Sequence, residues 1–303
     1  MDRRSFIRSS LASTLAASSL GALPILDLLA LPAAAAVAPA LAVRQGSDIS
    51  TLVGETIAAL GGMESFVQRG DTVVIKPNIG WDRTAEQAAN THPEVVRTLV
   101  EHCLEAGASR VLLFDRTCND ARRCYTQSGI REAIDNLDSD RVRLDYMDRR
   151  AYQSMLIRGG KAFERWEFYR PALEADCYIN VPVAKHHSIS RLTLAMKNTM
   201  GVIGGNRGRL HHDIAEALAD INSVIHSTLT VVDATRILVA NGPSGGRLKD
   251  VRTTETLIAT PDIVAADAFA ATLFGLQPDE ISSVVAGARR GLGTMDLTQV
   301  RRV

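Results

Sequence analysis

The sequence of 303 residues lacks several features that would assign it quickly to a class of protein. Its 34 basic residues are balanced by 34 acidic ones, so no positive surplus indicates a nucleic-acid partner. Its four cysteines contain no Cys-x-x-Cys pair, which argues against an iron–sulfur cluster or zinc ribbon supplied by this chain alone. It also has no His-Glu-x-x-His helix and no Walker loop, and its Gly-x-Ser-x-Gly match at residues 242–246 lies in a glycine-rich loop that no predicted helix follows, so serine hydrolase, zincin and P-loop chemistry are not indicated.

Residues 1–42 are predicted to be a twin-arginine export signal that is not part of the fold. Residues 3–8 read Arg-Arg-Ser-Phe-Ile-Arg, and an alanine- and leucine-rich stretch from about 11 to 31 leads to two small-x-small cleavage patterns. The alternative is an uncleaved anchor, but the many Ala, Ser and Gly residues favour cleavage over a stable membrane span. We therefore expect a periplasmic or exported protein that engages the twin-arginine export machinery. In such an oxidising compartment, Cys118 and Cys124 either form a disulfide bond or remain free thiols.

The remaining part, residues 43–303, predicts an α/β fold with a mainly parallel sheet and helices on both faces, in one or two lobes. Apolar runs alternate with segments of helical periodicity, and each run is apolar on both faces, as buried parallel strands are. The predicted strands are 72–75, 111–114, 142–146, 177–181, 229–232 and 255–259. The predicted helices are 47–60, 93–106, 127–137, 189–200, 213–227, 263–274 and 279–289. The stretch 147–171 is less regular.

Polar residues follow several of these strands directly. In open parallel sheets, ligands bind beyond the carboxyl ends of the strands, so these residues are expected to converge on one edge. They are Lys76 to Asn78, Asp115, Asn180 to Lys185, Asp233 and Asp262.

The densest group of reactive side chains lies between residues 185 and 212, among small residues and glycines. It consists of Lys185, His186, His187, Lys197, Asn198, His211 and His212. A packed core does not need this chemistry, whereas a site for an anion, a metal or a reactive carbonyl does. Adjacent side chains point in different directions, so His186 and His187 are not both expected to reach one ligand. At least one of them is predicted to be an acid/base catalyst.

Lys197 is the third predicted catalytic residue. It follows the apolar stretch 192–196 near the end of the predicted helix 189–200. Partial desolvation would lower the pKa of the amine and make it a base or a covalent nucleophile. The alternative is that it compensates the helix dipole.

Anion-binding groups are predicted at the sheet edge and in the glycine-rich loop 201–208. The predicted substrate-binding residues are Lys76, Asn78, Lys185, Asn198, Arg207 and Asp233. Lysine and arginine bind carboxylate or phosphate, and glycine-rich backbone amides suit an oxyanion. The alternative for Lys76 is that it is a solvated lysine in a turn. A second glycine-rich loop, 241–246, is either a lid or a long turn.

The order of these motifs resembles the domain of unknown function 362 (DUF362) family. The resemblance rests on 73–78, 92–93, Pro182 with 185–186, 192–193, 196–201, Arg207, His211, Asp233, 242–243 with Gly246, Asp262 and Asp267. It covers roughly residues 70–285. Many relatives add a ferredoxin-like cysteine domain, which this sequence lacks, so the resemblance does not imply electron transfer.

A looser resemblance in residue order is to lactate-racemase-type enzymes. Those enzymes use a histidine, then a lysine that carries a nickel-pincer nucleotide, then a histidine that binds the metal. His187, Lys197 and either His211 or His212 repeat that order. The resemblance implies a transition metal or metal-containing cofactor at His211 or His212, and a racemase- or isomerase-like reaction. A twin-arginine signal is consistent with it, because that route exports folded proteins with a cofactor already inserted.

Two classes of function are left open by the sequence. The first is an exported enzyme that acts on a small anionic substrate, a hydroxy acid or a phosphorylated compound, by acid/base chemistry with or without a metal cofactor. The second is a periplasmic ligand-binding or cofactor-handling protein without catalysis. Both need a basic pocket, but only the enzyme needs a titratable base beside the ligand, and the density of histidines favours the enzyme.

Overall fold

A sheet built mainly from parallel strands runs through the protein, which a computed structural model describes for residues 38–303. The strands of this part are β1 (Ala40–Gln45), β2 (Thr72–Pro77), β3 (Arg110–Leu113), β4 (Val142–Leu144), β5 (Tyr152–Leu156), β6 (Arg165–Tyr169), β7 (Cys177–Val181), β8 (Val183–His187), β9 (Arg191–Thr193), β10 (Leu229–Leu238), β11 (Val251–Thr260) and β12 (Arg301–Arg302). The helices are α1 (Ile49–Ala58), α2 (Pro93–Glu105), α3 (Ala121–Gln127), α4 (Ile130–Asp135), α5 (Arg170–Glu174), α6 (Ala195–Asn198), α7 (Ile214–Asn222), α8 (Ile263–Thr272) and α9 (Ser282–Arg289).

The order of the strands places the parallel ones together. It is β12-β1-β11-β10-β7-β2-β3-β4, with β8 beside β10 and β9 beside β8. The neighbours β10, β7, β2, β3 and β4 are parallel, whereas β11 runs antiparallel to both β1 and β10. The hairpin of β5 and β6 forms a separate small sheet. Because the carboxyl ends of β7, β2 and β3 meet at one edge, residues that follow these strands are brought together there.

Helices cover both faces of the sheet, because alternate residues of a strand reach opposite faces. Val73 and Ile75 pack with α1 and α2, whereas Val74 between them packs on the other face with α7 and the β5–β6 hairpin. A third cluster packs α8 against Val232 and Ile258. The predicted fold class, a mainly parallel sheet with helices on both faces, is confirmed.

The predicted helix 189–200 is wrong. β8 turns back into the antiparallel strand β9, and only the single turn α6 is helical. The pairing of Lys185 with Thr193 and of His187 with Arg191 identifies β9 as a strand, and its neighbour Ile189, in the turn, is 59% exposed. This correction changes where the reactive lysine and histidines of the segment point.

Two other segments differ from their predicted structure. The predicted helix 127–137 is shortened to α4, because Gly129, with a φ of 76° that a helix cannot accommodate, separates it from the preceding helix α3, which was not predicted. The irregular stretch 147–171 contains the β5–β6 hairpin and the short helix α5.

The predicted boundary after residue 42 falls inside β1. Ala40 and Leu41 pair with β12, and Ala42 pairs with β11, so these residues belong to the sheet that we expected to begin later. The twin-arginine motif and the apolar stretch lie outside the described residues. Residues 38–303 form a single compact unit, and within them no helix is long and apolar enough to cross a membrane. Cys118 and Cys124 are both free thiols.

Candidate functional site

A cavity of about 380 Å³ opens at the carboxyl edge of β2, β3 and β7. Eight of the predicted site residues line it: Lys76, Asn78, Lys185, His187, Lys197, Asn198, Arg207 and His211. Its volume is that of a small-molecule site. We call it the lysine cavity, after its three lysines. The sheet edge therefore gathers residues that are up to 135 positions apart in the sequence.

Lys76 and Asp115 form a buried ion pair in the cavity wall. Nζ of Lys76 lies 2.8 Å from Oδ1 of Asp115, and both side chains are almost fully buried. The ammonium also donates to Pro77 O at 2.8 Å and to Asn198 Oδ1 at 3.0 Å. Oδ2 of the carboxylate accepts from Ile79 N at 2.6 Å. Lys76 is thus held by partners of its own, and the alternative of a solvated turn lysine does not describe it.

Gly201 makes this ion pair possible. A Cβ at this position would overlap the carboxylate of Asp115 and the end of the Lys76 side chain. The residue belongs to the short 3₁₀ segment that follows α6, so the backbone itself packs against the pair. Glycine is required at position 201 because the backbone approaches the ion pair closely, and not because of its φ and ψ angles.

Lys185 is buried in the same wall without a carboxylate partner. Its Nζ donates to Asn78 Oδ1 at 2.9 Å and to the carbonyl oxygen of Ala89. Burial lowers the pKa of the amine from 10.5 to about 7, and the positive charge of Lys197 acts in the same direction. An amine with such a pKa gains or loses its proton near neutral pH.

Three asparagines connect the strands to the turn that carries Lys197. Asn78 Nδ2 donates to Asn198 Oδ1 at 2.9 Å, and Asn198 Nδ2 donates to Asn180 Oδ1 at 2.8 Å and to Lys76 O at 3.1 Å. Asn180 Nδ2 in turn donates to Ala195 O at 2.9 Å. All three side chains are buried, so the chain of hydrogen bonds is shielded from water and fixes the cavity wall.

α6 presents Lys197 to the cavity from a rigid base. The backbone N–H groups of Ala195 and Met196 donate to the two carboxyl oxygens of Asp267 at 2.6 and 3.0 Å. Burial raises the pKa of Asp267 from 3.8 to about 7, although these hydrogen bonds act in the opposite direction. Burial lowers the pKa of Lys197 to about 8, which agrees with the predicted desolvation even though the predicted helix is absent.

His187 is held in one tautomer by the turn between β8 and β9. The N–H groups of Ile189 and Ser190 point at its Nδ1 from 3.1 and 3.3 Å. A backbone N–H can only donate, so Nδ1 carries the lone pair and Nε2 carries the proton. Burial, followed by the charge of Lys197, lowers the pKa of His187 to about 3. The ring is therefore a neutral hydrogen-bond donor.

His211 has the opposite tautomer. Its Nδ1 lies 3.3 Å from the carbonyl oxygen of Gly208, which can only accept, so Nδ1 carries a proton and, in the neutral ring, Nε2 carries the lone pair. The rings of His187 and His211 are stacked at 6.3 Å between centroids, with 20° between their planes. The cavity thus holds one imidazole that donates and one that accepts.

Arg207 lies at the end of the lysine cavity, at the start of a 3₁₀ segment. Its guanidinium donates to Arg116 O at 2.8 Å and to Thr117 O at 3.0 Å in the loop after β3. Nη2 also lies 3.9 Å from Sγ of Cys118, and together these contacts fix the plane of the group. The predicted anion binder is thus oriented by the backbone rather than by a carboxylate.

Three predicted site residues do not line the lysine cavity. His186 projects from the other face of β8, where its Nδ1 accepts from Gly242 N at 3.1 Å. His212 is exposed to solvent. Asp233 is buried, and its oxygens accept from His92 N at 2.7 Å and from the backbone and hydroxyl of Thr235. Asp233 holds the start of α2 and does not line the cavity, so it is not in a position to bind a substrate there.

Some cavity residues were not among the predicted site residues. Asp115 follows β3 and was expected at the sheet edge, but nothing in the sequence indicated its pairing with Lys76. Thr193 lines the cavity, and its buried hydroxyl has no hydrogen-bond partner in the described part of the chain. The thiol of Cys118 is exposed there. A single threonine or cysteine does not indicate a site in a sequence unless the elements that carry it are known to lie close together.

The residues present do not by themselves make a metal site. Among residues 38–303, no group of three His, Cys, Asp or Glu side chains could hold an ion. His187 cannot bind a metal through Nε2 without breaking the hydrogen bonds at its Nδ1. Nε2 of His211 is suited to be a ligand, and the other ligands of such a metal would have to come from an organic cofactor or from water.

These features define a class: an α/β protein with a cation-lined cavity at the carboxyl edge of a parallel sheet. The domain of unknown function DUF362 matches residues 73–272, and the chain therefore belongs to the DUF362 family. A thylakoid-associated protein of Synechocystis is 28% identical over 247 residues, which is 77% of this chain and 72% of the relative.

Two solved structures are also similar. A Thermotoga maritima protein has 12% identity and a TM-score of 0.43, over 75% of this chain and 59% of its own. The lactate racemase apoprotein of Thermoanaerobacterium thermosaccharolyticum has 10% identity and a TM-score of 0.42, over 65% of this chain and 50% of its own. The chain thus spans less than two thirds of either solved protein.

Proposed function

We propose that the protein is an enzyme that acts on a small anionic substrate, a hydroxy acid or a phosphorylated compound, by acid/base chemistry. The observation that carries this proposal is the uncompensated positive charge of the lysine cavity. Lys185, Lys197 and Arg207 line it, and within residues 38–303 none of them has a carboxylate at ion-pair distance. Buried charge without a counter-ion is costly, and an anionic ligand would supply the missing charge.

The partners that the ligand would meet follow from the hydrogen bonds already present. Lys185 and Arg207 would bind the acidic group, and the unpartnered hydroxyl of Thr193 would bind an oxygen of the substrate. His187 would donate from Nε2 to an oxygen on which negative charge develops. These groups are preorganised, because the backbone and the asparagine network hold them before a ligand binds.

The proton itself would move between the substrate and His211 or Lys197. Nε2 of His211 is free to accept a proton, and Lys197, with a pKa of about 8, exchanges one near neutral pH. In this scheme His187, predicted as an acid/base catalyst, acts as a neutral donor instead, and His186 has no part in the chemistry.

Binding and turnover can be measured on separate variants. We would titrate the protein with phosphate, lactate, glycerate and glycerol phosphate by calorimetry, and follow the exchange of carbon-bound hydrogen for deuterium in the three organic compounds in D₂O by NMR. We expect Lys185→Met to lose binding and His211→Ala to keep binding but lose exchange. His212→Ala is the matched control, because the neighbouring imidazole is exposed and outside the cavity.

The outcomes separate the two classes of function. Exchange that depends on His211 supports the enzyme. Binding without exchange of any compound supports the alternative, a periplasmic ligand-binding or cofactor-handling protein without catalysis. One observation favours that alternative: two of the four clustered histidines lie outside the cavity, and a third is fixed as a donor. If no anion binds, both proposals fail.

Export by the twin-arginine machinery is part of the proposal and is supported by the motif at residues 3–8. Replacing Arg3 and Arg4 with lysine should retain the full chain inside the cell. Fractionation of cells that express the wild type and the variant would measure this, and equal distribution of the two would contradict export by this route.

A further inference from the structure

A second cavity of about 580 Å³ adjoins the lysine cavity. The two share Asp115, Arg116 and Arg207 in their walls, so a ligand in one faces the other across these side chains. The second cavity is also lined by Arg149, and we call it the arginine cavity. Nothing in the acid/base scheme uses it.

Positively charged side chains outnumber negatively charged ones in the wall of the arginine cavity, as they do in the lysine cavity. Arg149 forms no hydrogen bond or ion pair to any residue that the structure describes, whereas the next residue, Arg150, is engaged in a bidentate ion pair with Asp148. The carboxylate of Asp115 is taken by Lys76, which leaves Glu167 to face three guanidinium groups. Burial and the charge of Arg207 lower the pKa of Arg116, as expected when cations converge without a counter-ion.

Two of the three arginines, Arg116 and Arg207, are held in place before any ligand binds. Arg116 donates to Ile203 O at 2.8 Å and to Gly205 O at 3.0 Å, and Arg207 donates to backbone carbonyls of the facing loop. Arginine forks fixed in this way match the planar oxygens of a carboxylate or phosphate. The hydroxyl of Tyr152, whose pKa burial raises to about 12, stays protonated, and a ligand oxygen would replace the sulfur of Met147, 3.7 Å away, as the acceptor of its proton.

We infer that the substrate carries a second acidic group, a carboxylate or a phosphate, which binds in the arginine cavity while the first binds in the lysine cavity. This inference rests on the proposed function and narrows its substrate class from anions in general to compounds with two separated acidic groups. Arg149 would then be a specificity residue, because it contacts the second group and not the reacting one.

The experiment compares diacids with monoacids of the same length. Succinate, adipate and suberate would be titrated against butyrate, hexanoate and octanoate by calorimetry, and 3-phosphoglycerate against glycerate would test a phosphate as the second group. We expect one diacid or the phosphoglycerate to bind at least about tenfold more tightly than its monoacid partner, because the two groups bind as one linked ligand.

Arg149→Gln should abolish this gain, while the neighbouring control Arg150→Gln should keep it. If monoacids bind and no diacid gains affinity, or if the gain survives Arg149→Gln, the second subsite is refuted and the proposed function stands. If no monoacid, no diacid and no phosphoglycerate binds to any of the proteins, the proposed function fails, and this inference fails with it.

Discussion

The ammonium of Lys76 and the carboxylate of Asp115 are 2.8 Å apart and almost completely buried, although they are 39 positions apart in the sequence. Lys76 lies near the end of β2, and Asp115 follows β3. The ion pair therefore ties β2 to the loop after β3 in the wall of the lysine cavity. The pair also explains why Gly201 packs there without a side chain. The stability of the fold and the geometry of the lysine cavity therefore depend on the same contacts.

Asp115→Asn should lower the free energy of unfolding by about 3–5 kcal/mol, because it leaves a buried ammonium without its counter-ion. Urea denaturation at pH 7 measures the loss. Asp145→Asn is the matched control, since Asp145 follows the neighbouring strand β4 but is exposed, and it should cost less than about 1 kcal/mol. Equal losses for the two variants would show that the ion pair contributes nothing beyond a surface charge.

Gly201→Ala should also destabilise the protein, by about 1–3 kcal/mol, because the new methyl group overlaps both partners of the ion pair. Gly54→Ala is its control. Gly54 lies inside α1, where a Cβ would have ordinary contact with His102, and alanine should stabilise the helix by about 0.5–1 kcal/mol. The signs of the two changes, read from thermal unfolding, should be opposite.

Lys185 should make stability rise with pH above neutrality. Its pKa is about 7 in the folded protein against 10.5 normally, so between these values the unfolded chain binds a proton that the folded protein has released. The free energy of unfolding therefore increases from about pH 7 to about pH 10. Lys185→Met should remove this part of the slope, and the exposed control Lys161→Met should not. A variant with the wild-type slope would contradict the lowered pKa.

Asp267→Asn should weaken both stability and anion binding. The amide retains one acceptor, so one backbone N–H of α6 loses its partner, at a cost of about 1–3 kcal/mol. The raised pKa of Asp267 adds a pH dependence: its contribution is fully present below about pH 4 and is lost as pH rises to about 7, and the asparagine should not show it. Phosphate calorimetry and urea denaturation, with exposed Asp279→Asn as control, measure the two effects. Unchanged phosphate affinity would show that α6 is held by other contacts.

The parallel sheet and the collection of lysines at its edge could be predicted because they depend on local signals. Each buried strand is a short apolar run, and a polar residue at its end must lie at the sheet edge once the strands are parallel. That argument is sufficient to place Lys76, Asn78 and Lys185 together without knowing any contact between them.

The segment after β8 could not be predicted in the same way. Its apolar residues allow a helical or a two-residue period over so short a length, and the hairpin with β9 is decided by pairing partners and by Asp267, 72 positions away from Ala195. The direction of each neighbouring side chain depends on that choice, which is why His187 faces the cavity and His186 does not.

The sequence by itself determined the fold class, the sheet edge at which the predicted site residues lie and the excess of positive charge there, because residue types and periodicity are properties of the chain. Only the tertiary structure decided which charges are neutralised and which tautomers the histidines adopt. Asp115 compensates Lys76 and not Lys185, and backbone groups hold the protons on Nε2 of His187 and on Nδ1 of His211. Those facts depend on distances of about 3 Å between residues remote in the chain, which no pattern along the sequence specifies.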